Sequence, residues 1–293
     1  MVFLEQNVAQ QIGIRQARWW VAYGGTSAYL PLVMIDSGHT ISSGPLDFVT
    51  VYKRMVDAEL PRPPGARIAA FARRLDNTMK VYTTVTNLAG VALSSSANAA
   101  TVNALVWEDK KVGVTSTIVR AAPYVTIAGP LAPGTSASFV LVTPALSSVD
   151  WTKLHTLVAV DYRPGSSGPY DLLQAAIALP TAMTAQPSAV TLRAVPTDPA
   201  AAQATVELSG PHVIRWTAST EAAWLEVSPA SGTLPAQVAM TLLPDRMPTG
   251  PQEATISLTG RSDDGLQLSC EVAVQAERLA SERPLRQRLT RRP

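Results

Sequence analysis

The stretch Ala223-Trp-Leu-Glu-Val-Ser-Pro-Ala-Ser-Gly-Thr-Leu-Pro-Ala236 decides the fold of the C-terminal part of this chain. A Trp-Leu pair opens a short apolar strand, a turn rich in Ser, Pro and Gly follows, and a second strand starts after Leu-Pro. Further along, Met247-Pro-Thr-Gly250 leads into the strand-like run Glu253–Gly260. Short strands separated by turn residues in this way predict a β-sandwich.

The whole segment from about residue 186 to 276 repeats this pattern, and Leu179–Pro187 is predicted to be the linker before it. Trp216 and Trp224 fall at strand positions, where an aromatic side chain usually packs into the core. The predicted strands of this segment are Val190–Val195, Gln203–Leu208, Ile214–Ala218, Trp224–Val227, Gln237–Leu242, Glu253–Leu258 and Leu266–Val274.

These residues resemble a BACON domain, an immunoglobulin-like β-sandwich of bacterial surface and secreted proteins that is sometimes linked to glycan binding. Trp216 matches the Trp of the family's middle strand, ahead of the Trp-Leu pair at 224–225. The turn Pro196–Ala202 departs from the family because it is longer. The resemblance implies an extracytoplasmic or cell-surface protein whose partner is a protein or a glycan.

Residues from about 65 to 180 predict a second immunoglobulin-like sandwich, because strand-like runs alternate with turn residues here too. Val85-Thr-Asn87 and Leu131-Ala-Pro-Gly134 are similar to the second strand and the Pro-Gly turn of bacterial immunoglobulin-like folds. Glu108–Lys111 is predicted to be a solvated hairpin tip. The predicted strands are Arg67–Ala72, Lys80–Thr86, Thr101–Trp107, Thr115–Arg120, Ala137–Val142, Leu154–Tyr162 and Leu172–Ala178.

Residues 1–64 predict a small α/β module that ends at a proline-rich linker. Its order resembles the second half of a thioredoxin fold, which implies a cis bond before Pro31 and, without a Cys-x-x-Cys pair, no redox activity. The predicted elements are strand Val2–Leu4, helix Val8–Ala22, the hairpin strands Tyr29–Gly38 and His39–Gly44, and helix Leu46–Leu60.

Such a partial module exposes apolar surface, including the Trp19/Trp20 pair, and is not expected to fold alone. We expect this surface to be covered by another copy of the chain or by a missing N-terminal piece rather than by the next segment. A start codon inside a longer gene would explain both the missing half and the lack of a visible signal peptide.

The charge distribution argues against a nucleic-acid-binding body. Residues 277–293 contain six Arg and two Glu, so subtracting this +4 from the total of +2 leaves the rest of the chain at −2. The Arg-rich tail itself is predicted to be disordered. Because Cys270 is the sole cysteine, an intrachain disulfide is excluded. The sequence contains no apolar run long enough to predict a membrane span.

Residues able to carry catalysis or bind a metal are few. His39, His155 and His212 lie in three different segments, so a metal site made from them is not expected. Ser37 lacks the strand-to-helix turn that presents a nucleophile, and a polar hairpin turn is favoured. The sequence therefore predicts no enzyme, no catalytic residues and no cofactor.

The segment Asp161–Asp171 is the candidate binding site. Tyr162, Arg163, Tyr170 and Asp171 surround a Gly/Ser-rich loop at one end of the middle sandwich, and Tyr with Arg is a frequent binding pair. The alternative is a structural turn with Tyr162 packed inward.

Together these features predict a mainly β protein in which two immunoglobulin-like sandwiches follow the partial α/β module. The predicted function is that of a non-catalytic, exported, modular binding or scaffold protein. The alternative is a subunit of a self-assembling surface or filament structure, in which a neighbouring chain completes the N-terminal module and the protein is a homo-oligomer.

Overall fold

The computed structural model describes residues 18, 20, 21, 23, 24, 32–44, 46–112, 115–165, 167–194 and 202–278. In this part the chain is mainly β with few helices, as predicted. It divides into two compact units, Met1–Thr181 and Ala182–Pro293. Each unit contains a sandwich of two β-sheets that share an apolar core, and the first unit also contains a separate two-stranded sheet.

From Leu32 onwards, the first unit contains a small antiparallel hairpin followed by a helix. Its helix α1 starts after Asp47, whose side chain accepts a hydrogen bond from the Thr50 N–H at 3.2 Å, so Asp47 is the N-cap. The elements are β1 (Leu32–Ile35), β2 (Thr40–Ser43) and α1 (Phe48–Glu59).

The sandwich of the first unit contains all seven strands predicted for it. One sheet has the order β10-β9-β5-β6, with β7 also pairing with β5, and the other has the order β11-β3-β4-β8. Val81 and Val85 of one sheet pack with Val102 and Val158 of the other in the shared core. The elements are β3 (Ala66–Leu75), β4 (Thr78–Asn87), α2 (Ser95–Asn98), β5 (Thr101–Val112), β6 (Thr115–Ala121), β7 (Tyr124–Thr126), β8 (Ser136–Val142), β9 (Leu154–Tyr162), β10 (Asp171–Ile177) and β11 (Leu179–Pro180).

The second unit is also a two-sheet sandwich and contains the seven strands predicted for it. Its sheets have the orders β12-β14-β18-β16 and β13-β20-β19-β15-β17. The strands are β12 (Thr184–Gln186), β13 (Ala189–Ala194), β14 (Gln203–Ser209), β15 (Arg215–Ser219), β16 (Leu225–Ser228), β17 (Ser231–Thr233), β18 (Ala236–Leu242), β19 (Gln252–Arg261) and β20 (Gln267–Arg278).

Trp216 and Trp224 lie in the core of the second unit, with 1% and 6% of their surface exposed, which confirms the prediction for both. Trp216 on β15 has a glycine opposite it on each neighbouring strand, Gly260 on β19 and Gly232 on β17. A Cβ atom at Gly232 would lie 3.2 Å from the indole ring. Gly232 therefore leaves room for the Trp216 indole, and Gly260 leaves room for Ile214 and Met183.

The Gly260→Ala variant is expected to lose about 1–3 kcal/mol of unfolding free energy, because added core volume must be accommodated by shifts of well-packed groups. A Cβ at this position would lie 2.4 Å from Cγ2 of Ile214. Denaturant unfolding of the full chain measures the loss. The exposed Thr255 of the same strand provides the control, since Thr255→Ala should change stability by less than about 0.5 kcal/mol. Equal stability of the two variants would contradict this packing.

The structure differs from the sequence prediction at two places in the sandwiches. Leu179–Pro187 is not a free linker, because β11 pairs with β3 and β12 pairs with β14. The predicted hairpin tip at Glu108–Lys111 is instead part of the long strand β5. Glu108 is buried there, where it forms an ion pair with Arg120 and accepts the Asp150 N–H at 3.0 Å.

Several predictions for the chain termini lie outside the described residues. They include Pro31 and its peptide bond, the strand Val2–Leu4, and the Arg-rich tail beyond Arg278. Within the described N-terminal residues, Arg18, Trp20 and Val21 are helical and the hairpin and α1 form as predicted. The thioredoxin-like interpretation gains no support, since β1 and β2 form a two-stranded sheet of their own.

Candidate functional site

A buried polar cluster around Asp161 joins the N-terminal residues to the first sandwich. Asp161, near the end of β9, is completely buried and forms an ion pair with Arg18, of which 4% is exposed. Its carboxylate also accepts hydrogen bonds from Thr101 Oγ1 at 2.7 Å, Ser37 Oγ at 3.1 Å and Asn103 Nδ2 at 3.4 Å. The carboxylate therefore has the charged and polar partners that burial of an ion requires.

The Arg18 guanidinium is bound on several sides. Its Nη2 donates to the Ala99 carbonyl at 2.7 Å, and its Cζ lies 4.3 Å from the centre of the Tyr170 ring. An ion pair, a carbonyl acceptor and an aromatic face together suit a planar guanidinium better than a compact ammonium group.

Three residues around the cluster have left-handed backbone conformations, which non-glycine residues rarely adopt. Asp36 and Ser37, in the turn between β1 and β2, have φ values of 51° and 59°. Ala99, which ends helix α2, has φ 49° and directs its carbonyl to Arg18. Strained backbone concentrates where a site demands a particular geometry.

The four residues of the predicted binding site lie beside this cluster. Tyr162 and Asp171 are paired across the β9–β10 hairpin, and Arg163 and Tyr170 lie in the connection between them. Arg163 stacks on Tyr170 at 5.6 Å and donates from Nε to the Gly168 carbonyl at 3.0 Å. Asp171 lies 3.4 Å from Nη2 of Arg62. The structure thus brings the four together, and it gives Tyr170 and Asp171 partners from the N-terminal residues of the same chain.

A second group of charged side chains surrounds Asp171 at the edge of the cluster. Arg62 donates from Nη1 to Glu59 at 2.8 Å and to Asp36 at 3.3 Å, while Nδ1 of His39 lies 2.7 Å from Glu59. Nε2 of His39 lies 3.8 Å from Asp171. This network connects α1 and the β1–β2 hairpin to the start of β10.

The network shifts the pKa values of two carboxyl groups, Asp36 and Glu59, in opposite directions. Burial, with the negative charge of Glu59, raises the pKa of Asp36 to about 6. Burial also opposes ionisation of Glu59, but hydrogen bonds from His39, Thr40 and Arg62 outweigh it and lower the pKa to about 2. For Tyr162, burial followed by the charge of Asp171 raises the pKa.

The raised pKa of Asp36 predicts a pH dependence of stability that Asp36→Asn removes. Between the unfolded pKa of Asp36 and about 6 the folded state binds more protons, so its contribution to stability falls as pH rises through this window. The lowered pKa of Glu59 has the opposite effect: Glu59 stabilises the folded state above pH 4.5, and this stabilisation is lost as pH falls from 4.5 towards 2. We therefore expect Asp36→Asn to gain about 1–2 kcal/mol relative to wild type between pH 4.5 and 7.5.

Denaturant unfolding at several pH values measures this gain. Asp57→Asn is the matched control, because Asp57 lies on α1 as part of an exposed i, i+4 pair with Lys53. A difference between Asp36→Asn and wild type that stays constant with pH would contradict the assigned shifts.

Sequence reasoning missed Arg18, Thr101, Asn103 and the role of Ser37. One signal was available: β5 and β9 contain apolar runs without alternation, Ala104-Leu-Val-Trp107 and Leu157-Val-Ala-Val160, which indicate strands covered on both faces. The outer face of this sheet carries the small cluster of Leu105, Trp107, Leu157 and Ala159 and, further along, the Asp161 group.

His39 and His155 have different partners within the first unit. His39 contacts Glu59, and His155 lies 2.8 Å from Asp109 and stacks on Trp107. In the described ranges no group of three or more His, Cys, Asp or Glu side chains has the arrangement of a metal site. Nor is any helix in those ranges long and apolar enough to cross a membrane.

The second unit presents a polar sheet surface, which we call the hydroxyl face. It is the outer surface of the five-stranded sheet, opposite the side on which Trp216 is buried. Four hydroxyl residues stand directly opposite one another across four strands in the order Ser231, Thr217, Thr259 and Ser269. The Thr217 and Thr259 hydroxyl oxygens are 3.1 Å apart.

Comparison with known proteins gives one family match. A family model described as "Viral BACON domain" matches residues 182–271, which confirms the BACON resemblance predicted for the second unit and covers less than a third of the chain. No curated protein matches the chain.

The structural neighbours are distant. The ASH/PapD-like domain of human CEP192 is 15% identical over 35% of this chain and 88% of that chain, with a TM-score of 0.30. The human CDH23 EC21–23 structure is 12% identical over 61% of this chain and 62% of that chain, with a TM-score of 0.25. The BSP domain of a biofilm associated protein is 13% identical over 73% of this chain and 30% of that chain, with a TM-score of 0.23.

Proposed function

We propose that this chain is a non-catalytic, exported binding protein whose BACON domain recognises glycans through the hydroxyl face. The family match at residues 182–271 carries the proposal, because the BACON resemblance implies glycan binding at a surface. The first unit acts as the scaffold that supports this domain.

The chemistry of the second unit narrows how a glycan would be bound. Its aromatic side chains are Trp216 and Trp224, and both are buried, so stacking of a sugar on an exposed ring is not the mode of recognition. Ser and Thr hydroxyls both donate and accept hydrogen bonds, as sugar hydroxyls do. With strands about 4.8 Å apart, the row from Ser231 to Ser269 offers such groups over roughly 14 Å.

An exposed row of hydroxyl groups gives weak binding per site, because each hydrogen bond replaces one made to water. Useful affinity then requires several copies of the domain acting together. The need for several copies favours combining glycan binding with the alternative function: the protein binds glycans as a subunit of a repeating surface structure. The matching family is one of viral BACON domains, which supports an assembled virus particle as the repeating surface structure.

A glycan array probed with the full chain, displayed in many copies on a bead or a tetramer, tests the proposal. We expect binding to a defined subset of glycans, competed by the free sugar. An array on which the folded protein binds no glycan would overturn the proposal.

A further inference from the structure

A pair of arginine side chains lies beside the hydroxyl row of the second unit, the row that runs across the sheet from Ser231 to Ser269. Arg215 on β15 is paired in register with Arg261 on β19, two residues along each strand from this row. Residues two apart on a strand point to the same side of a sheet, so both arginines belong to the hydroxyl face. Both are exposed, and 73% of the Arg215 side chain is accessible to solvent.

The arginine pair opposes folding rather than supporting it. Like charges directly opposite each other on neighbouring strands destabilise a sheet. Residues 182–278 contain five Arg, no Lys and ten Asp or Glu, a net charge of −5, so acidic partners are plentiful in this unit. Arg193 on the same sheet stands opposite such a partner, Glu277. Two of the five arginines instead face each other, which concentrates positive charge beside the hydroxyl row.

One carboxylate already contacts the arginine pair. Nη2 of Arg215 lies 3.5 Å from Oδ2 of Asp263, in the turn between β19 and β20, and the Asp263 side chain is 87% exposed. An ion pair this open to water contributes little and is readily exchanged for another anion. Within the described ranges, Arg261 has no ion-pair partner. The contact with Asp263 therefore leaves the Arg261 guanidinium available to an anion from outside the chain.

The neighbours of the two arginines suit the remaining oxygens of an acidic group. Thr233 on β17 stands opposite Arg215, and Gln267 on β20 stands opposite Arg261, so the four side chains form one row across the sheet. Guanidinium groups bind carboxylates and similar oxyanions through two parallel N–H donors. Directly opposite residues have Cβ atoms about 4.5–5.5 Å apart, so both arginines can reach the same group. The hydroxyl row begins about 7 Å further along the strands.

We propose that the arginine pair makes acidic glycans the ligands of this domain. A carboxylate or sulfate group of the glycan binds to Arg215 and Arg261 in exchange for Asp263, and neutral hydroxyls of the neighbouring sugar bind to the hydroxyl row. The inference rests on the proposed function, glycan binding through the hydroxyl face, and adds the class of glycan that is bound.

The experiment uses an array on which each glycan core is printed in a neutral form, in a form carrying a sialic or uronic acid, and in a sulfated form. The full chain is displayed in many copies on a bead. We expect binding to acidic forms and at least about 10-fold weaker binding to their neutral counterparts, the size expected for charged hydrogen bonds. The acidic forms that bind distinguish a carboxylate from a sulfate as the group recognised.

Three exposed substitutions locate the binding of the acidic group. Arg261→Gln should lose at least about 10-fold in affinity for the acidic glycans. Arg193→Gln is the matched control, because it removes the same charge from the same face, roughly 33 Å away along β20. It should change affinity by less than about 2-fold. Asp263→Asn removes the competing carboxylate and should strengthen binding by about 2- to 5-fold, the usual size of an exposed ion pair.

The outcomes separate this inference from the proposed function. Equal binding of neutral and acidic forms, or equal losses for Arg261→Gln and Arg193→Gln, would overturn selection by the arginine pair and leave glycan binding by the domain in place. An array without any bound glycan would overturn both. Circular dichroism of each variant checks that the second unit is folded, and we expect Arg261→Gln to melt no lower than wild type because it relieves a like-charge contact.

Discussion

Replacement of Arg18 by Gln is expected to lower the unfolding free energy of the first unit by about 3–5 kcal/mol, the usual result of removing one partner of a buried ion pair. The loss arises because Asp161 stays buried at the end of β9 with its hydrogen bonds but without its cation. Hydrogen–deuterium exchange on the full chain locates the effect. Peptides from β5, β9 and β10 should lose protection, and those from the second unit should not.

Arg163→Gln is the matched control for this prediction. Arg163 stacks on the same Tyr170 ring at 5.6 Å and donates to a backbone carbonyl, that of Gly168, so its loss should cost less than about 1 kcal/mol. The Arg18→Gln/Asp161→Asn double variant should be more stable than Arg18→Gln alone, because it no longer buries an unpaired charge. If Arg18→Gln unfolds like wild type, the assigned ion pair is wrong.

Replacement of Trp224 by Ala is expected to cost about 3–5 kcal/mol, the usual figure for removing a buried large aromatic side chain. Trp224 lies in the turn directly before β16 and is buried in the core of the second unit with Leu225 and Leu242. Denaturant unfolding of the full chain, followed by the protection of second-unit amides, measures the loss.

Two comparisons make the Trp224 prediction specific. Trp224→Phe should recover much of the lost stability, because it keeps an apolar ring in the same space. Trp20→Ala, at an exposed position of the N-terminal residues, should leave the second unit unchanged. A Trp224→Ala protein as stable as wild type would contradict the burial of this side chain.

Much of the sandwich architecture could be predicted from the sequence, because the signals for strands are local. In β19 and β20 alternate residues point into the core, and turn residues such as Gly265 mark the ends. The short strands β7, β11, β12 and β17 were missed, since runs of two or three residues carry no periodicity. The strand at Glu108 was missed because charged residues there suggested a turn, whereas Arg120 compensates the buried charge.

The candidate site shows the limit of the same reasoning. Tyr162 and Asp171 could be placed together because a hairpin joins them. Arg18 and Asp161 could not, since neither has a neighbour in sequence that indicates their contact. The N-terminal residues were expected to be covered by another chain or by a missing piece, yet in the structure they supply a charge to the first sandwich. A local order of strand, hairpin and helix did not distinguish a thioredoxin-like module from this arrangement.

The measurement that tests the proposed function most directly compares two Thr→Lys variants in binding to the glycans found on the array. Thr259 lies in the middle of the hydroxyl row on β19, and Thr205 is exposed on β14 in the other sheet of the same unit. We expect Thr259→Lys to lose at least about 10-fold in affinity, a cost of about 1.4 kcal/mol. We expect Thr205→Lys to bind as wild type does. Equal binding by both variants, with both folded, would contradict recognition through the hydroxyl face.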